Sequence, residues 1–457
     1  MRAGVIAVAL TLLPLAAFAD TINVSNGPSL AGAIAAANPG DTIVLSPGDY
    51  RLGGGTTNVT RPGAASRPIV LRAAVPGKAR IHSETTELFK LFAPYWVFEG
   101  LDMIGTADTY HAFHIVGGAE HVVIRGNRMR NFHAAIKGNF EGGKDPADIV
   151  IERNVMFNDA PRKTDEPVTP VDVVHGQRWV LRGNFIADFA KDGGDETSYA
   201  AFLKGGSGDG LFEGNLVICE WHHTGGFRVG LSFGGGGSPS EYWTKDREEH
   251  TRGIMRNNIV LNCPNGEGIY LNRSGNAHVY SNTIYNAYGI LARFPVSGPS
   301  DVRNNIVSGA VATRAGATVA ARNNLETGRA IGDYIPGVAR SLKLRISDYD
   351  KRWPSIFTPG RIAWATRTID GIAAWLGRSS FGRGVSDFDG WFADPKAADF
   401  DRRDTDRILQ KGEPVPEVEV DFCGQKRLGS TDLGAIEYTA GPCDVPGRIK
   451  ALTAAFN

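Results

Sequence analysis

The sequence predicts an all-β fold, a right-handed parallel β-helix, and three observations carry that prediction. A short strand running into an asparagine recurs: VVIRGNRM at Asn127, IVIERNVM at Asn154, WVLRGNFI at Asn184, GLFEGNLV at Asn215, GIMRNNIV at Asn258, HVYSNTI at Asn282, DVRNNIV at Asn305 and VAARNNL at Asn324. The intervals between these markers are 27, 30, 31, 43, 24, 23 and 19 residues. Irregular intervals around a constant core describe coils whose loops vary while one turn does not, which is how a solenoid reads in sequence. The strands are rich in Val and Ile and leave no room for a helix in each repeat, and 57 glycines suit a turn-rich β architecture. Finally, SLAGAIAAA, from Ser29 to Ala37, is a short amphipathic helix able to close the open end of such a core.

Taken from the start, MRAGVIAVALTLLPLAAFAD places one positive charge before a short apolar core and ends in the small residues Ala17-Phe18-Ala19. Residues 1–19 read as a cleaved export signal, and the mature chain as periplasmic or secreted. No later apolar stretch approaches the ~20 residues of a bilayer span. The coil occupies residues 20–330, opening with PGDTIVLSPGDY and ASRPIVLRAAVPGKARIH as its first strands. Residues 331–457 lose the repeat, gain tryptophans and prolines, and read as an irregular C-terminal extension lying against the coil. With 49 basic and 49 acidic residues the chain has no net field to attract nucleic acid, and it reads as a monomer.

Four cysteines fit an oxidising compartment, since none forms a CxxC pair or a Cys/His cluster. Cys423 and Cys443 suit a local bridge. Cys219 and Cys263 fall four and five residues after their markers on successive coils, close enough to bridge or to stack as reduced thiols. Asparagine suits the marker position because it tolerates left-handed backbone and because its amide can bond to the amide of the next coil.

Aligning the units on their markers also aligns one strand of each. Counting back from the first glycine of AAIKG, DVVHG, AFLKG and LSFGG gives Lys137, His175, Lys204, Phe233, Asn272, Arg293 and Arg314 a shared position, although the enlarged coil between Asn215 and Asn258 equally admits Arg228 in place of Phe233. The residue before each is mostly apolar, so alternation turns this column outward. Outward strand residues are commonly polar, but stacked cations repel unless a ligand or counterion sits among them. Between Asn215 and Asn258 lies the largest insertion, in which Trp221, Tyr242 and Trp243 could stack on sugar rings or merely pack the loop. Its run Gly234 to Gly237 lacks the Lys-Ser/Thr and helix of a phosphate loop.

The opening, together with PYWVFEGLDMIG, resembles polysaccharide lyases of the chondroitinase B and alginate lyase type, and the tail VDFCGQKRLGSTDLGAIEY resembles the ending of bacterial β-helix surface proteins. The first resemblance implies an exported lyase cleaving a uronic-acid glycan by β-elimination, with a lysine base and an arginine on neighbouring coils. Lys204, in LKGGSGDGLFEGNLVI, matches the lysine in its place before the marker, and Arg228, in GGFRVGLSFGG, matches the arginine in spacing. Calcium is implied as well. Its candidates here are Asp195 and Glu196, displaced from the family's two glutamates, where Thr197 and Tyr199 stand.

Elimination removes the proton beside a sugar carboxylate, which requires a cation on that carboxylate and a base that is neutral enough to accept a proton. An unperturbed lysine, with a pKa near ~10.4, is mostly charged at neutral pH, and neighbouring cations favour its neutral form. The expected roles are Lys204 as base, Arg228 as carboxylate clamp or leaving-group acid, and His175 as a second proton carrier or a surface histidine. Lys137, Asn272, Arg273 and Arg293, with the three aromatics, are the expected substrate contacts. Two other functions fit the same scaffold: a glycoside hydrolase using Asp172, Asp192, Asp195 and Glu196, or a non-catalytic glycan-binding surface protein.

Overall fold

In a computed structural model of the chain, the repeated strands stack into three long parallel sheets of twelve, eleven and ten strands, in which each strand pairs with its equivalents on the coils before and after. This is a right-handed parallel β-helix. The structure describes residues 19–53, 55–106, 108–327, 364–365, 368, 384–403, 406–427, 429–454 and 456. The proposed export signal therefore lies almost wholly outside the described residues, as does much of the extension.

From the strand Trp96–Glu99 onward, each coil runs from the twelve-stranded sheet through a two-residue turn into the eleven-stranded sheet, as in Val123–Arg125 followed by Arg128–Arg130, and then by a longer loop to the ten-stranded sheet. The markers sit in the two-residue turn. Asn215 shows why asparagine is required there. Its backbone N–H and its side-chain Nδ2 both donate to Oδ1 of Asn258, at 3.0 and 2.9 Å, while its own Oδ1 accepts the same pair of bonds from Asn184 at 3.1 and 2.9 Å. Its Nδ2 also donates to the Leu181 carbonyl. The pattern repeats from Asn127 to Asn324, so one buried ladder of amides runs up the corner.

One detail corrects the sequence reading. The left-handed residue is not the marker but the one before it: Gly126, Arg153, Gly183, Gly214, Asn257, Ser281, Asn304 and Asn323 all have φ between 52° and 62°. The marker itself supplies hydrogen bonds, and its neighbour supplies the bend.

The interior is a continuous apolar column of Val, Ile, Leu and Phe that includes Phe89, Phe98 and Phe113 in mutual ring contact. Its N-terminal end is covered by the helix Gly27–Ala36, capped by Asn26, whose side chain accepts from Ser29 N–H. That helix turns Leu30, Ala33 and Ile34 inward. The described part of the extension packs against the eleven-stranded sheet. Phe388, Trp391, Phe392 and Ile436 join Phe185, Leu216 and Ile259 there, and Tyr285 donates to Asp389. Both disulfides, Cys219–Cys263 and Cys423–Cys443, are formed. Among the described residues no helix is long and apolar enough to cross a membrane.

One buried group makes the coil acid-sensitive. His250 is fully buried and stacks on Phe233 at 4.0 Å, and neither ring nitrogen has a hydrogen-bond partner. Burial lowers its pKa from 6.5 to about 3, with Asp209 opposing and Arg252 adding to the shift. The folded chain thus holds fewer protons than the unfolded chain between those values, so stability falls as pH drops from 6.5 towards 3. The limiting contribution is about 5 kcal/mol. His111 and His133, each lowered to about 4 chiefly by burial, act with the same sign. His250→Leu should narrow the gap between urea midpoints measured at pH 7 and pH 4.5, and an unchanged gap would show that His250 is not the group responsible.

Candidate active site on the ten-stranded sheet

The column of basic residues lies on the outer face of the ten-stranded sheet, but its register differs from the marker alignment. Val174 pairs with Lys204, and Leu203 with Phe233. Phe233 in turn pairs with Leu271, and Asn272 with Arg293, which pairs with Arg314. Continuing that register by one residue puts Gly234 between Lys204 and Asn272. Phe233 is therefore a core residue, fully buried, and the position assigned to it is a glycine. His175 is one residue past the partner of Lys204, in the turn. Lys137 pairs with Asp172, and Asp172 with Phe202, which places Lys137 two residues before the Lys204 row on the same face. The glycines used for alignment are not equivalent: Gly138 is inside its strand, Ala134–Asn139, whereas Gly205 follows the end of Thr197–Lys204.

Lys204 is half-buried at the end of that strand. Its Nζ donates to the Gly236 carbonyl at 3.2 Å and lies 4.3 Å from the centre of the Phe202 ring, and no carboxylate comes within ion-pair distance of it among the described residues. Burial lowers its pKa from the ordinary lysine value. Asp172 and Glu249 oppose that shift and Lys137 adds to it. The loop above the amine is the run Gly234 to Gly237. The Glu249 carboxylate fixes it by accepting N–H bonds from Gly235 and Gly236 at 2.8 and 3.0 Å, and the Tyr199 hydroxyl donates to the Gly235 carbonyl. Gly234 and Gly236 take φ of 71° and 73°, the left-handed region that glycine enters freely.

Lys137, by contrast, is paired: its Nζ meets Asp172 Oδ1 at 2.8 Å. Further along, Tyr270 is buried with its hydroxyl 3.5 Å from Arg293, and burial raises its pKa. Asn272 is buried with its Oδ1 unpartnered, as is Arg293 Nε. Asp172, Tyr199, Phe202 and Glu249 thus lie around the lysine, with Tyr270 two coils along from Phe202, without having been assigned to the lyase site from sequence. Alternation from Lys204 does single out Phe202, but the approach of Glu249 depends on how the insertion folds back.

Several expected contacts are placed elsewhere. Arg228 is 2% exposed and its guanidinium donates to the Gly225, Cys219 and His223 carbonyls, tying down the segment that follows Cys219. Asp188, 3.8 Å away, is its nearest counterion, and burial lowers its pKa. It pairs in register with Ser198, six residues before Lys204, so the structure does not bring it beside Lys204 as a carboxylate clamp would require. Trp221 packs edge-on to Phe157 and Phe185 in the cluster that holds the extension. Arg273 is sandwiched between Trp243, at 4.5 Å, and Phe294, at 4.3 Å, which leaves neither the guanidinium nor that ring face free. His175 lies between two other rings with Asp145 at 3.4 Å, and burial lowers its pKa.

Asp195 accepts from Thr197 N–H and pairs with Lys191 at 3.0 Å. It and Glu196 lie at the opposite end of the strand from Lys204, roughly 25 Å along at ~3.3 Å per residue. Among the described residues no group of three or more His, Cys, Asp or Glu side chains is arranged to hold a metal ion, and at Asp195 the Lys191 ammonium occupies the place beside the carboxylate.

The fold is shared with solved enzymes. The chain superposes on pectate lyase Pel9A with a TM-score of 0.50 at 16% identity, over 67% of this chain and 78% of that one. A rhamnogalacturonan lyase gives 0.47 at 15% identity over 66% and 86%, and an alginate lyase from Paenibacillus sp. str. FPU-7 gives 0.45 at 16% over 67% and 97%. No protein-family model matches the sequence, and no curated protein is similar to it. The molecule is a parallel β-helix of the kind seen in the pectate lyase, distant from it in sequence.

Proposed function

We propose that the protein is an exported polysaccharide lyase that cleaves a uronic-acid glycan by β-elimination, with Lys204 as its base. The observation that carries this reading is the state of Lys204: an amine on the outer face of the sheet, half-buried against a ring, without an ion-pair partner among the described residues and displaced towards its neutral form. A lysine in that state accepts a proton at lower pH than a solvated one.

In the proposed step neutral Nζ takes the proton from the carbon beside the sugar carboxylate. The C–H electron pair becomes the new C=C bond, the bond to the glycosidic oxygen breaks, and that oxygen leaves with a proton returned by the same amine. Lys137, whose charge reaches Lys204, is the proposed partner of the sugar carboxylate, with Asp172 positioning it. Asn272 and Arg293 are the proposed contacts on the following coils. Export is supported by the N-terminal sequence and by the two disulfides.

A hydrolase would need two carboxyl groups about 5–10 Å apart. Asp172 is on the Lys204 side of the sheet, whereas Asp192, Asp195 and Glu196 precede the far end of the strand.

The test is to incubate the protein with alginate, chondroitin, dermatan, pectate and glucuronan and follow the ultraviolet absorbance of unsaturated uronates. A rise with one polymer is the expected result. New reducing ends without absorbance would replace elimination by hydrolysis, and binding without either product would leave a glycan-binding protein.

A further inference from the structure

Beside Lys204 the coil carries a feature that the elimination step does not use. Register places Phe140 next to His175, two residues beyond the last strand pair, and His175 next to Gly205, one residue beyond it, on three successive coils. Gly205 has no side chain, and Tyr242 from the insertion fills the space: a Cβ at Gly205 would lie 3.7 Å from the Tyr242 Cβ. The result is a row of three rings along the coil axis, with centroids 5.4 Å apart from Phe140 to His175 and 5.1 Å apart from His175 to Tyr242. The two outer rings are open to solvent, Phe140 at 46% and Tyr242 at 43%, and they are two of only four large apolar side chains so exposed among the described residues.

The row is continuous with the Lys204 site, because the Lys204 carbonyl accepts the His175 N–H at 3.1 Å. The Tyr242 end is held by the short helix Ser240–Tyr242. Exposed apolar rings beside the amines of Lys204 and Lys137 fit a ligand that is apolar on its ring face and anionic at its edge. A uronic-acid pyranose has that form.

We propose that Phe140, His175 and Tyr242 form a sugar-stacking subsite, in which sugar units next to the cleaved bond lie against the rings and fix which residue of the polymer reaches Lys204. His175 is then a neutral ring in the middle of the row and not a proton carrier. The subsite rests on the reading of the ligand as an acidic glycan, but it does not depend on elimination.

The experiment is affinity electrophoresis through gels containing each of the five polymers, with every variant built on Lys204→Ala so that no polymer is cleaved. Lys204→Ala itself should be retarded by at least one polymer. Phe140→Ala and Tyr242→Ala should each weaken that retardation up to about tenfold, and the double variant should migrate as in a polymer-free gel. Tyr242→Phe should retain the retardation, because the ring and not the hydroxyl does the binding. Both side chains are exposed, and circular dichroism would confirm that the variants fold. Retardation unchanged in the double variant would overturn the subsite, as would the absence of retardation by any polymer. If the rings prove necessary for retardation while the Lys204 form never generates absorbance, the subsite stands and the elimination reading falls.

Discussion

Lys204→Ala is expected to remove the absorbance-generating activity, by about 10²–10⁴-fold or to background, while leaving the coil folded. The side chain lies on the outer face, where it bonds the Gly236 carbonyl and covers the Phe202 ring without entering the interior, so its loss costs the fold little. Lys204→Arg should be equally inactive, because a guanidinium keeps its proton throughout the working pH range. In the wild type the rate should rise with pH as the amine deprotonates, and the inflection should fall below the ordinary lysine value because burial disfavours the ammonium. Lys137→Ala moves that inflection back up. It removes a cation that lowers the Lys204 pKa and leaves Asp172, which raises it, without its partner. Full activity in a folded Lys204→Ala protein, or a pH profile without a rising limb, would exclude Lys204 as the base.

The lysine could be found in sequence because it ends an apolar alternating strand shortly before a marker, and strand alternation is a local property. Arg228 could not be placed in the same way. It lies in a strand that also alternates, yet its side chain turns inward to three loop carbonyls and a buried aspartate, and the loop that offers them is specified only when the insertion folds and Cys219 closes on Cys263. Counting from glycines misplaced Phe233 for a related reason. A glycine inside a strand and a glycine in a turn look alike in sequence, and one residue of slip moves a side chain from the outer face to the core. The glycine run above Lys204 likewise reads only as a flexible loop until the carboxylate of Glu249, on the far side of the insertion, is seen to bind two of its amides.

The scaffold was more legible than the site because it rests on one repeated local requirement. Asparagine offers, at a two-residue turn, an acceptor for the amides of the coil below and a donor for the coil above, and it recurs at that corner on every coil from Asn127 to Asn324, whereas Leu101 holds the place on the coil before and only donates its N–H to Asn127 Oδ1. The intervals between markers carry no such constraint, so the 43-residue spacing between Asn215 and Asn258 could absorb the insertion whose glycine run covers Lys204.

That requirement makes the middle of the ladder the most sensitive part of the fold. Asn215→Ala is expected to destabilise the protein by about 3 kcal/mol, since it strips the Asn215 partner from the Leu181 carbonyl and from the Asn184 backbone N–H and leaves Asn184 Nδ2 and Asn258 Oδ1 with one bond each in place of two, and each buried polar group left unpaired costs ~1–3 kcal/mol. Replacement by aspartate does not rescue it, because the carboxylate keeps the acceptor but loses the donor and buries a charge. Asn324→Ala is the internal control. Asn324 is the last rung, partly exposed, and water can replace it as partner to Asn305, so about 1 kcal/mol or less is expected there. Urea midpoints of the two variants should differ accordingly, with Asn215→Ala far below the wild type and Asn324→Ala close to it. Equal, small shifts would mean that strand pairing and the apolar interior hold the coils in register without the amide ladder, and the repeated asparagines would then need another explanation.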